Sequence, residues 1–450
     1  MNIKKYSYNE ISKLTINDVI SQANDDINFD HLVLELQLTN SCNYKCSYCY
    51  GQEPIGKDNF MSTDTIKSIL KQVFALNKKY YYITLIGGEV IYLPNLFDIL
   101  DYIDSYDLNI EVSIITNASK KVDYFKKFKQ YKKYIKVSLS IHLEYVNIDN
   151  IKEIVKLFNE YGDSNFNIFM MPHPLMKEKF EKFSNELIEY RKNYGFNLFF
   201  TEILEPPQFN TIDSRYDSDY LELIQKLRIE FENIASQYCE INKENNNFNY
   251  SKNNYSPCNY YTIKKKNNEL DYVYIHPDIA LINGLRKFKD FYCCGGYLLR
   301  VDYNGDYFSK LCHIPKIGNI YEENIDFIKL AEPMVCPLAQ CGCRTDMKAL
   351  KYKYKDEAND YFFMYKLYLE KNKINSMTPY ELYLFIKDNI NNSNNKDVEN
   401  INNKLNTLVD SIAWWIPVKK WRDNFRNKIL YGQEQSRAEQ SRAEQSRAEQ

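Results

Sequence analysis

The chain has 450 residues, a formal net charge of −2 and 11 cysteines. Its length allows more than one domain, each with its own core, and the near-neutral balance excludes a global basic field of the kind that binds nucleic acid. No run of about 18 apolar residues occurs, which excludes a membrane-spanning helix, and Met1-Asn2-Ile3-Lys4-Lys5-Tyr6 lacks an apolar signal core; the expected location is cytoplasmic, where cysteines point to metal or redox chemistry rather than disulfides.

Residues 1–30 are polar and weakly patterned and predict an N-terminal extension with a short helix. Residues 32–38 alternate as a strand does. The loop that leaves this strand carries Cys42, Cys46 and Cys49, spaced C-x3-C-x2-C. Open α/β sheets and barrels place their chemistry at the C-terminal ends of strands. Three thiolates leave one iron of a four-iron cubane without a protein ligand, and that iron can bind a small molecule. A closed zinc site needs four ligands, and no His or Cys lies close by in sequence to complete one.

Cys42-Asn43-Tyr44-Lys45-Cys46-Ser47-Tyr48-Cys49 resembles the signature of the radical S-adenosylmethionine (radical SAM) family. Tyr48 stands where that family has an aromatic residue beside the third cysteine. The resemblance implies a [4Fe–4S] cluster on Cys42, Cys46 and Cys49, with S-adenosylmethionine on the fourth iron. It also implies reductive cleavage to a 5′-deoxyadenosyl radical that abstracts hydrogen, fed by an external low-potential donor such as flavodoxin or ferredoxin.

From 32 to about 205, strand patterns (32–38, 81–86, 109–115, 135–141, 166–171, 196–203) alternate with helical ones (62–76, 95–105, 120–131, 149–160, 176–194). Six β/α units with short connections imply a parallel sheet, and right-handed crossovers curl it into an open barrel. Counting alone does not separate a barrel from a doubly wound sheet; the family's partial (β/α)6 barrel agrees with the count. Gly87-Gly88-Glu89 follows the second strand. Glycines let the backbone pass close to a ligand, and Glu89 can accept from an ammonium group. The tripeptide resembles the family's GGE motif, which holds the methionyl amino group, although Val90 replaces the usual Pro.

Asn117, in Thr116-Asn117-Ala118, resembles the family's T-N-G/A step; it touches the cofactor or caps the next turn. Alternation puts Ser138, Ser140 and His142 on one face of the fourth strand. The family uses such hydroxyls for cofactor ribose or carboxylate, with Ser140 the best candidate, while His142 serves the substrate or is a satisfied structural histidine. Backbone near Met171 contacts adenine, or Met171 is core. Glu202 or Glu205 faces the cavity, or both are solvated loop acids. A helix is expected over 216–240, then an Asn-rich loop at 244–254 flanked by Cys239 and Cys258, which read as incidental thiols.

Cys293, Cys294, Cys312, Cys336, Cys341 and Cys343 follow within 51 residues. Asn304-Gly305 between strand-like runs signals a hairpin. The segment resembles the SPASM and shorter Twitch auxiliary-cluster domains of the family. Six cysteines cannot fill two four-cysteine sites, which favours the single-cluster form and a second [4Fe–4S] centre. The ligands it implies are Cys294, Cys312 and Cys341, with Cys336 or Cys343 as fourth; zinc is the alternative metal.

Residues 356–390 read as helix and 391–403 as an Asn-rich linker. Trp414, Trp415 and Trp421 sit among Lys419, Lys420, Arg422 and Arg426, which suits either peripheral membrane contact at the inner surface or a helix docked on the core. The same stretch resembles the C-terminal ends of some bacterial surface-glycan glycosyltransferases. The Glu-Gln-Ser-Arg-Ala repeat from Glu434 is low complexity. It can be encoded by repeated GAGCA and reads as a slippage tract; mixed codons across the repeats would refute that.

The expected architecture is thus α/β: a partial (β/α)6 TIM-like barrel (31–240) after the extension (1–30), a linker region (241–290), a small Cys-rich auxiliary domain (291–350), a helical C-terminal region (351–432) and the repeat tail (433–450). The expected activity is radical SAM chemistry on a peptide, a protein or a sugar-like metabolite, with peptide or surface-glycan modification as its setting. The non-enzyme reading is an iron–sulfur or zinc binding module without catalysis.

Overall fold

The computed structural model describes residues 3–24, 29–49, 53–54, 60–131, 135–162, 166–205, 212–243, 259–265, 267–275, 280, 283–309, 312, 315–341 and 349–369. All but the last three belong to one compact unit, Met1–Lys366. Cys258, Cys343, residues 244–254, the 391–403 segment, the Trp/basic segment and the repeat tail lie outside the described residues.

Six β/α units are present. The strands are β1 (His31–Gln37), β2 (Tyr80–Ile86), β3 (Ile110–Thr116), β4 (Ile135–His142), β5 (Asn167–Met171) and β6 (Asn197–Phe200), and each pairs in parallel with its neighbour. The helices are α1 (Thr63–Phe74), α2 (Leu96–Asp104), α3 (Val122–Phe125, continued by a 3-10 turn to Tyr131), α4 (Ile148–Glu160), α5 (Lys177–Arg191) and α6 (Ser218–Lys243). This is the expected partial (β/α)6 architecture. The sixth strand is shorter than its sequence pattern suggests.

Local chemistry explains the helices. Ser62 caps α1 by accepting the Thr65 N–H (3.1 Å). Ile66, Ile69, Leu70, Val73 and Phe74 then recur at helical spacing and are buried. They join Leu32, Leu34, Leu36 and Leu38 from one face of β1 in a single core. Each such side chain stabilises the fold by about 1.5–3 kcal/mol. Strand alternation sends Glu35, Gln37, Thr84, Ser113, Lys136, Ser138, Ser140, Asn167 and Asn197 to the opposite face together with Tyr82, Ile115, Phe169 and Phe199, so the inner side of the half-barrel mixes polar groups with aromatic and aliphatic ones.

In two places strands pair across stretches that the sequence reads separately. The hairpin at Asn304-Gly305 forms, from β7 (Leu298–Val301) and β8 (Asp306–Phe308), with Gly305 at φ +88° in the turn. It also joins the barrel sheet. β7 lies parallel to β1, Arg300 opposite Glu35, and β9 (Lys316–Asn319) follows, so the parallel sheet runs on into the cysteine-rich region. Arg300 thereby reaches the inner face, where its guanidinium donates to Glu35, to Asp302 (2.7 Å) and to Gln37 (3.3 Å).

The stretches read as an extension and a linker also carry strands. Ile3–Lys5 and Val19–Asn24 enter a second sheet with Asn259–Lys264, Leu270–Ile275, Leu350–Tyr352, Tyr292–Cys294 and Met334–Val335. Short strands from distant parts of the chain complete one another's ladders there, satisfying backbone groups that each segment alone leaves unpaired. Ser21 donates to Thr262 across that sheet (2.8 Å). Near the end, α7 (Lys355–Leu369) anchors itself through the Tyr361 hydroxyl on Gly295 O (3.0 Å) and the Tyr365 hydroxyl on Gly296 O.

Candidate active site

Cys42, Cys46 and Cys49 lie beyond the C-terminal end of β1. Cys46 is buried, Cys42 half-buried and Cys49 exposed. Burial pushes the Cys46 thiol up to about 12, with Glu144 and the other two thiols adding to the rise. Cys42 is raised by burial and pulled back by the Tyr44 N–H (3.4 Å from its sulfur) and the Asn117 amide. These thiols favour the neutral form until a cationic centre compensates the thiolate charge.

The Gly-Gly-Glu turn packs against the approach to the cysteine loop. Gly88 N–H donates to Thr39 O and Glu89 N–H to Ser41 O, both at 2.9 Å. A Cβ on Gly87 would stand 2.5 Å from Thr39 O, and one on Gly88 only 2.0 Å from Ser41 O. The neighbour that demands glycine at both positions is therefore the backbone of residues 39–41. The sequence alone suggested a ligand in that role.

Glu89 is 1% exposed. Its carboxylate accepts from Thr116 Oγ1 (2.5 Å), Asn117 N–H (2.6 Å) and Ile91 N–H (3.2 Å). Burial raises it to about 7 against the pull of those donors. A carboxylate has about four acceptor positions, so three internal donors leave room for one more. Asn117 Nδ2 reaches Asn43 Oδ1 (2.9 Å) and lies 3.8 Å from Cys42 Sγ, while its Oδ1 accepts from Ser119 N–H (3.0 Å). It thus contacts the cysteine loop and caps the following turn at once. Two buried atoms beside this junction, Asn40 Oδ1 and Ser41 Oγ, have no hydrogen-bond partner.

Residues from β4 and β5 close over the loop from the other side. Tyr48 and His142 join through the phenol oxygen and Nδ1 (2.7 Å). Ser47 N–H donates to Glu144 (2.9 Å), and Ser47 Oγ lies 2.9 Å from His173 Nε2. Tyr145 donates to Lys45 O (2.8 Å) and stacks on Tyr44 at 4.7 Å. Burial lowers His142 to about 4, so its ring is neutral in this contact. Glu144, Tyr145 and His173 carried no motif that singled them out; the available signal was their position just past strand ends, where chemistry concentrates.

The remaining candidates are spread over the inner face and its rim. Ser138 is buried and pairs in register with Ile115; Ser140 is half-buried and level with Phe169. Met171 ends β5 and packs on the main core. Glu202 accepts from Arg228 (2.9 Å), and Glu205 accepts from Ser214 N–H (2.8 Å), so both acids have partners within the chain.

In the second sheet, Cys293 pairs with Lys351 and Cys294 with Leu350. Adjacent strand residues point to opposite faces, so Cys293 and Cys294 cannot both serve one site on one face. Cys294 and Cys341 are buried, and Cys312 and Cys336 half-buried. Cys336 is fixed by its N–H on Phe291 O (2.8 Å), and Cys341 by its N–H on Arg286 O (2.9 Å). Among the described residues, no three Cys, His, Asp or Glu side chains are drawn close enough together to hold one metal ion. In the first loop the donor set nonetheless suits an iron–sulfur cluster: three thiols on one short turn, orphaned polar atoms beside them, and a glycine-lined junction next door.

Residues 36–147 match the family model described as Radical SAM superfamily. Radical SAM cyclopropyl synthase TigE of Paramaledivibacter caminithermalis is 25% identical over 217 residues, 42% of this chain and 43% of TigE. GTP 3′,8-cyclase of Mannheimia succiniciproducens is 23% identical over 216 residues, 45% of this chain and 62% of the cyclase. SuiB of Streptococcus suis, solved with S-adenosylmethionine, superposes with a TM-score of 0.41 at 18% identity, over 66% of this chain and 64% of SuiB. The chain spans less than two thirds of the length of these curated relatives.

The region that contains the cysteine loop, the Gly-Gly-Glu turn and Asn117 is a radical SAM domain that takes up about a quarter of the chain. The cofactors of that family are a [4Fe–4S] cluster and S-adenosylmethionine.

Proposed function

We propose that this protein cleaves S-adenosylmethionine reductively and uses the radical so formed to take a hydrogen atom from a polar substrate held on the inner face of the barrel. When bound, the reduced cluster and S-adenosylmethionine supply the 5′-deoxyadenosyl radical. Cys42, Cys46 and Cys49 hold the cluster. Glu89, steadied by Thr116 and Asn117, keeps one acceptor position for the cofactor's ammonium group, and Asn117 braces Asn43 beside Cys42. Tyr48, Gly87 and Gly88 shape the same junction, and Ser138 and Ser140 offer hydroxyls below it.

The observation that carries this reading is the joining of the two motifs: the backbone of residues 39–41, just before Cys42, hydrogen-bonds directly to the turn that bears Glu89. The inner face beneath carries Glu35, Gln37, Lys136 and Arg300 alongside Tyr82, Phe169 and Phe199, a mixture of charges and rings that suits a peptide or protein segment, or a sugar-like metabolite. A low-potential donor such as flavodoxin or ferredoxin reduces the cluster. A second [4Fe–4S] centre on Cys294, Cys312 and Cys341, with Cys336 or Cys343 as fourth ligand, would receive an electron from the substrate or anchor it. The Trp/basic segment, outside the described residues, provides contact with an inner membrane surface in a peptide- or surface-glycan-modifying setting. No described helix is long and apolar enough to cross a membrane.

Anaerobic reconstitution followed by dithionite and S-adenosylmethionine tests the proposal. The expected product is 5′-deoxyadenosine, lost when Cys42, Cys46 and Cys49 are replaced by Ala. A filled cluster that yields none would favour a non-catalytic iron–sulfur module.

A further inference from the structure

We propose that Glu144 is a positioning residue for the catalytic cluster: it latches the segment between Cys46 and Cys49 and sets a negative charge beside it that lowers the cluster's reduction potential. This rests on the reading above and goes beyond it, because Glu144 belongs to no motif of the cysteine loop or the glycine turn.

Three observations converge on Glu144. Its two carboxylate oxygens receive the Ser47 N–H at 3.2 and 2.9 Å, from a residue 97 positions earlier in the chain. Ser47 is one of only two residues between Cys46 and Cys49, so fixing it fixes the spacing of two thiols. The second observation is His173, 4% exposed, whose Nδ1 accepts the Leu175 N–H at 3.2 Å. In the neutral ring that places the proton on Nε2, which donates to Ser47 Oγ at 2.9 Å and faces Glu144 Oε1 at 3.9 Å. Backbone and hydroxyl of Ser47 are thus gripped from β4 and β5 together. The third is the partner of Tyr48, the other intervening residue: His142, two positions before Glu144.

The charge matters as well as the grip. The carboxylate lies 2.9 Å from the backbone nitrogen of Ser47, the residue that directly follows Cys46, so its charge sits beside the cluster's own ligand loop. A fixed negative charge close to a redox centre disfavours the added electron. Radical SAM chemistry needs a strongly reducing cluster, and a carboxylate at this point pushes in that direction. Net charge and hydrogen bonding around the sulfurs are the protein's means of tuning such clusters.

Two variants separate grip from charge. Glu144→Gln keeps an acceptor for Ser47 N–H and removes the charge; Glu144→Ala removes both. Potentiometric EPR on the reconstituted protein should show an upward shift of the midpoint in Glu144→Gln at unchanged iron content. Amide exchange on the apo-protein should show residues 43–49 opening at least tenfold faster in Glu144→Ala than in Glu144→Gln. A wild-type midpoint in Glu144→Gln overturns the electrostatic role, and equal exchange in wild type and Glu144→Ala overturns the latch. The exchange measurement needs no cluster, so it stands even if the wild-type protein cleaves no S-adenosylmethionine.

Discussion

Gly88→Ala tests how the two motifs are joined. The added Cβ would lie 2.0 Å from Ser41 O, 2.3 Å from Ser41 C and 2.9 Å from Asn40 C, all backbone atoms. Contact distances for such atoms begin above roughly 3 Å, so the turn and the loop approach must part by about 1 Å or more. Overpacking of this kind costs about 1–3 kcal/mol. The parting also strains the 2.9 Å bonds from Gly88 N–H to Thr39 O and from Glu89 N–H to Ser41 O, at about 0.5–1.5 kcal/mol each. The sum, about 2–6 kcal/mol, falls on the junction beside Cys42 and on the carboxylate of Glu89. Urea melts of the apo-protein and binding of S-adenosylmethionine to the reconstituted enzyme read the two consequences. We expect lower stability and at least a tenfold loss of affinity. Gly162→Ala is the control: Gly162 has φ +78° with nothing within 4 Å of a Cβ, so it should cost stability through backbone strain and leave cofactor binding alone. A Gly88→Ala protein with normal stability and affinity would refute the argument that the two segments are in obligatory contact.

Other consequences follow from single contacts. Arg300→Met should destabilise the fold by about 2–4 kcal/mol in urea, because it removes the guanidinium that Glu35 and Asp302 share; adding Glu35→Gln should recover part of the loss. Asn147→Ala removes the cap that accepts from Asp149 and Asn150 N–H and should cost about 1 kcal/mol with no change in cluster content. Lys4, Tyr6 and Lys265 hold the Asp271 carboxyl well below the usual carboxylate range. Its folded pKa is depressed, so its contribution is full above the unfolded value of about 3.9 and disappears as pH falls towards the folded one. Asp271→Asn should therefore lower stability at neutral pH and flatten its decline with acid, measured by melting between pH 7 and pH 3.

The barrel was legible because its signals are local. Leu32, Leu34, Leu36 and Leu38 alternate within one strand, and Ile66, Ile69, Leu70 and Val73 repeat within one helix. The second sheet was not, because its order is set by pairings such as Lys4 with Val273 and Gln22 with Lys351, which no local pattern reports. The cysteine loop and Gly-Gly-Glu could be found by spacing alone. Their physical relation could not: Gly87 and Gly88 looked like clearance for a ligand, and what they clear is Thr39 and Ser41. Glu144 was invisible for the same reason as the second sheet, since its partner Ser47 is nearly a hundred residues away. The place of Arg300 opposite Glu35 depends on the same kind of long-range pairing, β7 against β1.

The central claim is that Cys42, Cys46 and Cys49 hold a cluster whose open iron takes S-adenosylmethionine. EPR of the dithionite-reduced protein, with and without S-adenosylmethionine, tests it most directly when the wild type is compared with the variant carrying Ala at all three cysteines. The account predicts a signal in the wild type that changes on adding the cofactor and is missing from the variant, together with a drop in iron and sulfide content. A cofactor-sensitive signal that survives in the variant would contradict it.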